Sequence, residues 1–252
     1  MKKSIIAFSL AIAFVLSTQT QAAVQLQLQT PSGLAAGDTF RFIFLTQGTI
    51  TGTSADISTY DTFVNSQAGG AQYQGSSVSW SAIISTPTIN ARDHVGDYGT
   101  NFPVFRIDGT RIANSMTTDA AGHGLWGSGF VSPGAGILAS PSFGIDGAAL
   151  TGSLSAWTGS DYDGTKLVTG SNNSAVGSPS VSFGGNTYSG LSMTGSTTFS
   201  TSNWLRDGGQ NNFNTNSLRV YGISEQLTVI PEPSSLGLLL LGAAGLVARR
   251  KR

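Results

Sequence analysis

The chain has 252 residues, 13 basic and 13 acidic side chains, 33 glycines and no cysteine, which excludes disulfides, thiolate metal sites and a cysteine nucleophile together. Six basic residues (Lys2, Lys3, Arg249, Arg250, Lys251 and Arg252) sit at the two ends, but only one acidic residue, Glu232, does. Between them stand seven basic and twelve acidic residues, a balance of about −5, so there is no basic stripe to neutralise phosphates and nucleic acid is not an expected partner.

Residues 1–22 read as a secretory signal peptide. Lys2 and Lys3 precede an apolar run from Ile5 to Leu16, and Ala22 and Ala23 supply the small residues of a cleavage region. The run is shorter than the roughly 20 residues of a permanent span. Residues 23–229 then read as a single exported domain, since about 205 residues suit one core better than two. Heavy use of Gly, Ser, Thr and Asn makes that domain β-rich with many turns.

Along the domain, Thr39 to Thr46 (TFRFIFLT) is a dense run of β-formers. Ser54 to Ala68 places Ile57, Tyr60 and Val64 at helical spacing, with Ser54 or Asp56 as cap. In SVSWSAII, Val78, Trp80, Ala82 and Ile84 share one face of a strand, opposite three serines. Val104 to Ala113 reads as a hairpin around Asp108-Gly109, a dipeptide suited to a type I′ turn. Ser153 to Gly159 is a further strand, Ser182 to Thr187 (SFGGNT) a turn, and Leu218 to Val229 a closing strand. No fixed-period repeat is present, which excludes a solenoid or propeller.

Residues that carry chemistry are few. His94 lies between Asp93 and Asp97, a setting for a base or a metal ligand, while His123 stands alone in AAGHGLWG. Two such dissimilar histidines favour surface or turn roles. Asp161 and Asp163 in SDYDG offer oxygens of the kind Ca²⁺ takes, but the further acidic positions of an EF-hand loop are missing, and Asp-x-Asp-Gly is common turn chemistry. There is no Gly-x-Ser-x-Gly elbow and no phosphate-binding glycine loop. Glu225 is the only glutamate between signal and tail, so a glycosidase pair would fall to aspartates. No catalytic residue, cofactor or metal is therefore expected. Trp80 and Trp157 lie on strands and belong to the core; Trp126 and Trp204, flanked by Gly, Ser and Asn, are the expected exposed pair for stacking on carbohydrate.

The tail, VIPEPSSLGLLLLGAAGLVARRKR, has its own logic. Leu236 to Ala248 carries no charge and makes about 20 Å of helix, short of a hydrocarbon core of roughly 30 Å. Counting from Ser234 and letting the arginines snorkel brings it closer to a span. The four basic residues that follow favour the cytoplasmic side, making the segment a stop-transfer anchor. The order Pro231-Glu232-Pro233, apolar run, basic cluster resembles the PEP-CTERM protein-sorting signal of Gram-negative bacteria. That resemblance implies recognition of Pro231, Glu232 and Pro233 by exosortase, a membrane-embedded Cys transpeptidase, and cleavage there. Residues 230–252, with a short transmembrane helix, would anchor the protein transiently in the inner membrane. Delivery would then be to the envelope, the surface or the extracellular matrix of an exopolysaccharide producer.

A second resemblance concerns the domain. Trp80-Ser81-Ala82, Ser85-Thr86, Ala91-Arg92-Asp93, Pro103 to Thr110, Leu125-Trp126, Ala156 to Gly164 and Val220 to Ile223 follow one another as in endostatin-like domains and their uncharacterised bacterial relatives. It implies an α+β, β-rich, C-type-lectin-like fold, with one or two helices on mixed antiparallel strands; an all-β sandwich is the alternative. This chain departs from the pattern where relatives carry disulfides, with Gly222 at one expected cysteine position. It also lacks the N-terminal histidines that bind zinc and the arginine-rich face that binds heparin in that group. Two functional readings follow. One is a non-catalytic envelope or matrix protein, associated with exopolysaccharide or biofilm. The other is a secreted polysaccharide-acting hydrolase delivered by the same route.

Overall fold

The computed structural model describes residues 25–231, apart from 97–98, 118–122, 128–135, 153, 170–171, 174, 179–180, 184–185, 189, 199–201 and 208–210. The expected signal peptide, the span over Leu236–Ala248 and the motif residues Glu232 and Pro233 lie outside the described residues. Among the described residues no helix is long and apolar enough to cross a membrane.

In chain order the first elements are β1 (Gln27–Leu28), β2 (Thr39–Leu45), β3 (Ile50–Thr51), α1 (Ile57–Ala68), β4 (Gln72–Tyr73), β5 (Ser76–Ser77), β6 (Trp80–Ala82) and α2 (Ala91–Val95). Then come β7 (Val104–Arg106), β8 (Arg111–Ala113), β9 (Ser115–Thr117), β10 (Gly124–Trp126), β11 (Ser155–Trp157), β12 (Val168–Thr169), β13 (Asn172–Asn173), β14 (Val181–Phe183) and β15 (Asn186–Tyr188). The chain closes with β16 (Leu191–Ser196), a 3-10 turn (Ser202–Trp204), β17 (Asn211–Phe213), β18 (Ser217–Ser224) and β19 (Leu227–Thr228).

The central sheet is mixed, with the path β17-β16-β11-β18-β2-β7-β8. β18 is its spine: antiparallel to β2 through Tyr221↔Leu45 and Ile223↔Ile43, antiparallel to β6 through Gly222↔Ala82, and parallel to β11 through Trp157↔Val220. β2 shows why both faces are covered. Its side chains alternate, and Phe40, Phe42 and Phe44 enter one apolar cluster while Ile43 and Leu45 enter another. α1 closes the first cluster with Tyr60, Val64 and Ala68, and α2 contributes Ala91 and Val95 to the second. The protein is thus β-rich with two α-helices on a mixed sheet, and the all-β alternative is corrected by α1 and α2.

Local chemistry accounts for most of the expected elements. Asp56 caps α1, accepting the Ser58 N–H at 3.0 Å, and that bond holds its carboxyl below the usual range; Gly69 ends the helix at φ +60°. Val78, Trp80, Ala82 and Ile84 all enter the cluster beneath α1, as their alternation requires. β14 and β15 pair antiparallel on either side of residues 184–185, where SFGGNT suggested a turn.

Two expectations are corrected in detail. At Asp108-Gly109 only the glycine has positive φ (+84°), and Gly109 N–H donates to the Arg106 carbonyl. Arg106 and Thr110 then pair, so this is a three-residue loop with glycine in the left-handed position, not a type I′ turn. The closing strand is two strands: the register against β2 shifts by one residue between Ile223↔Ile43 and Leu227↔Phe40. Glu225 and Gln226 stand opposite Arg41 as the bulge, while the Glu225 N–H continues the β18–β6 ladder by donating to the Ser79 carbonyl at 2.9 Å.

Candidate functional site

The described chain ends at an edge where both its ends meet. β19 pairs with β2, and Val229 continues the ladder by donating to Asp38 O at 2.9 Å and accepting from Gly37 N–H at 2.8 Å. Ile230 has the side chain of Gln74 instead. Its N–H donates to Gln74 Oε1, and its carbonyl accepts from Gln74 Nε2, both at 3.2 Å. Pro231 follows and has no N–H with which to extend the pairing. Ile230 is 61% exposed. Together with Pro231 and Gln74 it lines a groove of about 360 Å³ whose other wall is Gln27, Leu28, Gln29 and Thr30. That wall includes β1, which pairs in parallel with β4. The first described residues and the last therefore leave the domain beside one another.

The tryptophans expected to stack on carbohydrate lie elsewhere. Trp126 and Trp204 are each 2% exposed and belong to the second core cluster, Trp204 meeting Tyr221 edge-on with centroids 5.3 Å apart. The expectation of an exposed pair is corrected: neither indole face is open to a ligand. Glycines distant in sequence from these flanks pack against both residues. A Cβ on Gly164 would come within 2.5 Å of the Trp126 ring, and one on Gly195 would overlap the Trp204 carbonyl. Glycine lets backbone lie on the Trp126 ring and close against the Trp204 main chain. Trp80 and Trp157 are buried at 3% and 0%, as their strand positions require.

His94 is paired, but not with its sequence neighbours. Its Nε2 lies 2.9 Å from Asp61 Oδ1 on α1, and the same oxygen accepts the Ala82 N–H at 2.8 Å. Asp93 instead accepts from Asn90 Nδ2 at 2.6 Å, and Asp97 lies outside the described residues. The His94–Asp61 contact ties α2 to α1 and β6, an arrangement that fastens elements together. Nothing local in the sequence marks Asp61 as the partner, because the two residues are 33 apart and meet only through the sheet. His123 Nδ1 stands 3.3 Å from the Gly136 carbonyl.

The SDYDG segment is held by arginines. Asp161 Oδ1 accepts from Arg206 Nη1 at 2.8 Å, and Asp163 Oδ2 from Arg92 Nη1 at 2.9 Å. Asp163 also accepts the Thr165 N–H, and the Arg206 guanidinium lies over the Tyr162 ring at 4.9 Å. Among the described residues no group of three or more His, Cys, Asp or Glu side chains is placed to hold a metal ion.

Residues 229–252 match the PEP-CTERM protein-sorting motif. Pro231, Glu232 and Pro233 thus belong to a recognised sorting signal. Signals of this type are processed by exosortase on proteins exported to the surface or beyond it. No curated protein matches the chain. The motif match covers the tail alone, and the endostatin-like reading of the central region gains no support from it.

Proposed function

We propose that residues 23–229 form a non-catalytic envelope or matrix domain. Residues 230–252 hold it transiently in the inner membrane until exosortase acts at Pro231-Glu232-Pro233. The domain then joins the surface or extracellular matrix, where a lectin-like scaffold contributes to exopolysaccharide-associated or biofilm structure. One observation carries the reading: the sorting motif begins at Val229, the last residue whose backbone pairs with β2 and its lead-in, so the domain's ladder ends where the address starts. A folded domain followed at once by Pro231, which has no N–H to extend the ladder, gives a membrane-embedded processing enzyme a motif it can reach without unfolding its substrate.

Three grooves among the described residues bear on the hydrolase alternative. The one beside Ile230 has no carboxylate in its lining, that between Tyr73 and Ile230 has Glu225, and that between Gly33 and Asn114 has Asp38. None of the three offers the two facing carboxylates of a polysaccharide hydrolase.

Fractionation of an expressing bacterium tests the sorting reading, comparing wild type with Pro231→Ala/Glu232→Ala/Pro233→Ala. The expected result is a shortened wild-type protein in the envelope or medium and a full-length variant in the inner membrane. Full-length protein in the inner membrane in both cases would make the tail a plain anchor.

A further inference from the structure

Gln74 is the one non-glycine among the described residues with positive φ. It stands at φ 49°, followed by Gly75 at φ 82°, in the two-residue turn joining β4 to β5. Two successive positive φ angles make this a type I′ turn, whose favoured residues are Asn, Asp and Gly. Glutamine has the steric cost of the left-handed region without the local side-chain hydrogen bonding that eases it for Asn and Asp. A cost of this kind persists where surrounding structure makes use of it.

The use is visible at Ile230. A residue before proline is driven to extended backbone, and in that conformation its N–H and C=O point the same way. Pro231 therefore prepares Ile230 to meet a flat group carrying one acceptor and one donor. The Gln74 carboxamide is such a group, and it makes both bonds at 3.2 Å. It replaces the neighbouring strand that Ile230 lacks. Asparagine would suit the turn better, but its amide stops one methylene short of that span. Burial does little for Ile230, whose side chain is largely in solvent.

We infer that Gln74 is a positioning residue for sorting: its carboxamide fastens the residue before Pro231-Glu232-Pro233 to the folded domain, so the motif departs from a fixed point beside β1. The inference rests on the exosortase reading above. It also makes presentation of the motif depend on the β4–β5 hairpin being formed, which couples processing to folding of the domain.

Pulse-chase measurement of processing in the expressing bacterium tests this with full-length Gln74→Asn and Gln74→Gly, each of which suits the turn while losing the bidentate bond. Both variants should keep a Tm at or above wild type yet be processed about three- to ten-fold more slowly, the loss expected for two solvent-facing hydrogen bonds. In the purified full chain, the Ile230 amide should exchange with solvent faster in both variants by a similar factor. Wild-type processing rates in both, with the triple motif variant blocked, would reduce Gln74 to a turn residue and overturn the inference. A Tm falling in step with processing would also overturn it, since misfolding would then be the cause. Normal processing of the triple motif variant would instead sink the sorting reading, and this inference with it.

Discussion

Arg92 on α2 donates from Nη1 to Asp163 Oδ2 at 2.9 Å, joining a short helix to a loop 71 residues away. Asp161 in the same loop is held by Arg206 at 2.8 Å. Both carboxylates that a sequence reader would offer to Ca²⁺ are thus already neutralised by guanidinium groups, whose planar donors suit a carboxylate well.

A calcium titration should therefore leave the domain unmoved. Millimolar Ca²⁺ is expected to shift Tm by less than about 1 °C, because a cation would have to displace arginines to reach the oxygens. Asp163→Ala should cost about 1–2 kcal/mol, since Asp163 also accepts the partly buried Thr165 N–H at 2.9 Å and both bonds are lost together. A calcium-dependent rise in Tm would show that the arginines yield the site.

Gly222 makes a sharper demand on packing. It sits in the middle of β18 between Phe44 and Ala82, and a Cβ there would come within 2.5 Å of both Phe44 Cε1 and Val64 Cγ1. Phe44 and Val64 belong to the fully enclosed core under α1, where nothing nearby can give way. Gly222→Ala should destabilise by about 1–3 kcal/mol, or roughly 2–10 °C in Tm for a domain of this size. Gly222→Cys, with a larger side chain, should be worse. An unchanged Tm for Gly222→Ala would mean that α1 does not seat tightly on the sheet.

How much of this was legible in advance depended on the range of the forces involved. The α1 helix was readable because its cap at Asp56 and its buried stripe of Tyr60 and Val64 are local patterns. Alternation from Val78 to Ile84 was readable for the same reason, since a period of two fixes which face is apolar. The Asp61–His94 pair was not, because its partners meet only when the sheet brings α1 and α2 together. Trp126 and Trp204 misled because polar and small flanking residues do not reveal what covers a side chain; the glycines that pack against them, Gly164 and Gly195, come from elsewhere in the chain. The Gln74-Gly75 turn left a faint local signal, a two-residue glycine turn between Tyr73 and Ser76, a weaker form of Asn-Gly. Its use at Ile230 spans 156 residues and is invisible without the fold.

The Arg106–Asp108 pair gives the hairpin loop a pH dependence. Arg106 grips the carboxylate with Nε at 3.1 Å and Nη2 at 2.7 Å, and Thr110 adds its N–H at 3.0 Å. Partial burial pushes the Asp108 carboxyl upward, but the Arg106 hydrogen bond, the Thr110 N–H and the Arg106 charge together outweigh it, leaving the group below its ordinary 3.8. With the folded value depressed, the unfolded chain takes the proton first as pH falls. The stabilisation is therefore complete above the ordinary carboxylate range and is lost as pH drops through the folded value. Asp108→Asn should lower stability near neutral pH by about 1–2 kcal/mol and flatten the loss of stability below about pH 4. Urea unfolding of both proteins between about pH 2.5 and 7 reads this directly, because the two stability curves must converge at the acid end. Curves that stay parallel across that range would mean that Asp108 is charged no more readily in the fold than in the unfolded chain, and the loop would owe its shape to Gly109 alone.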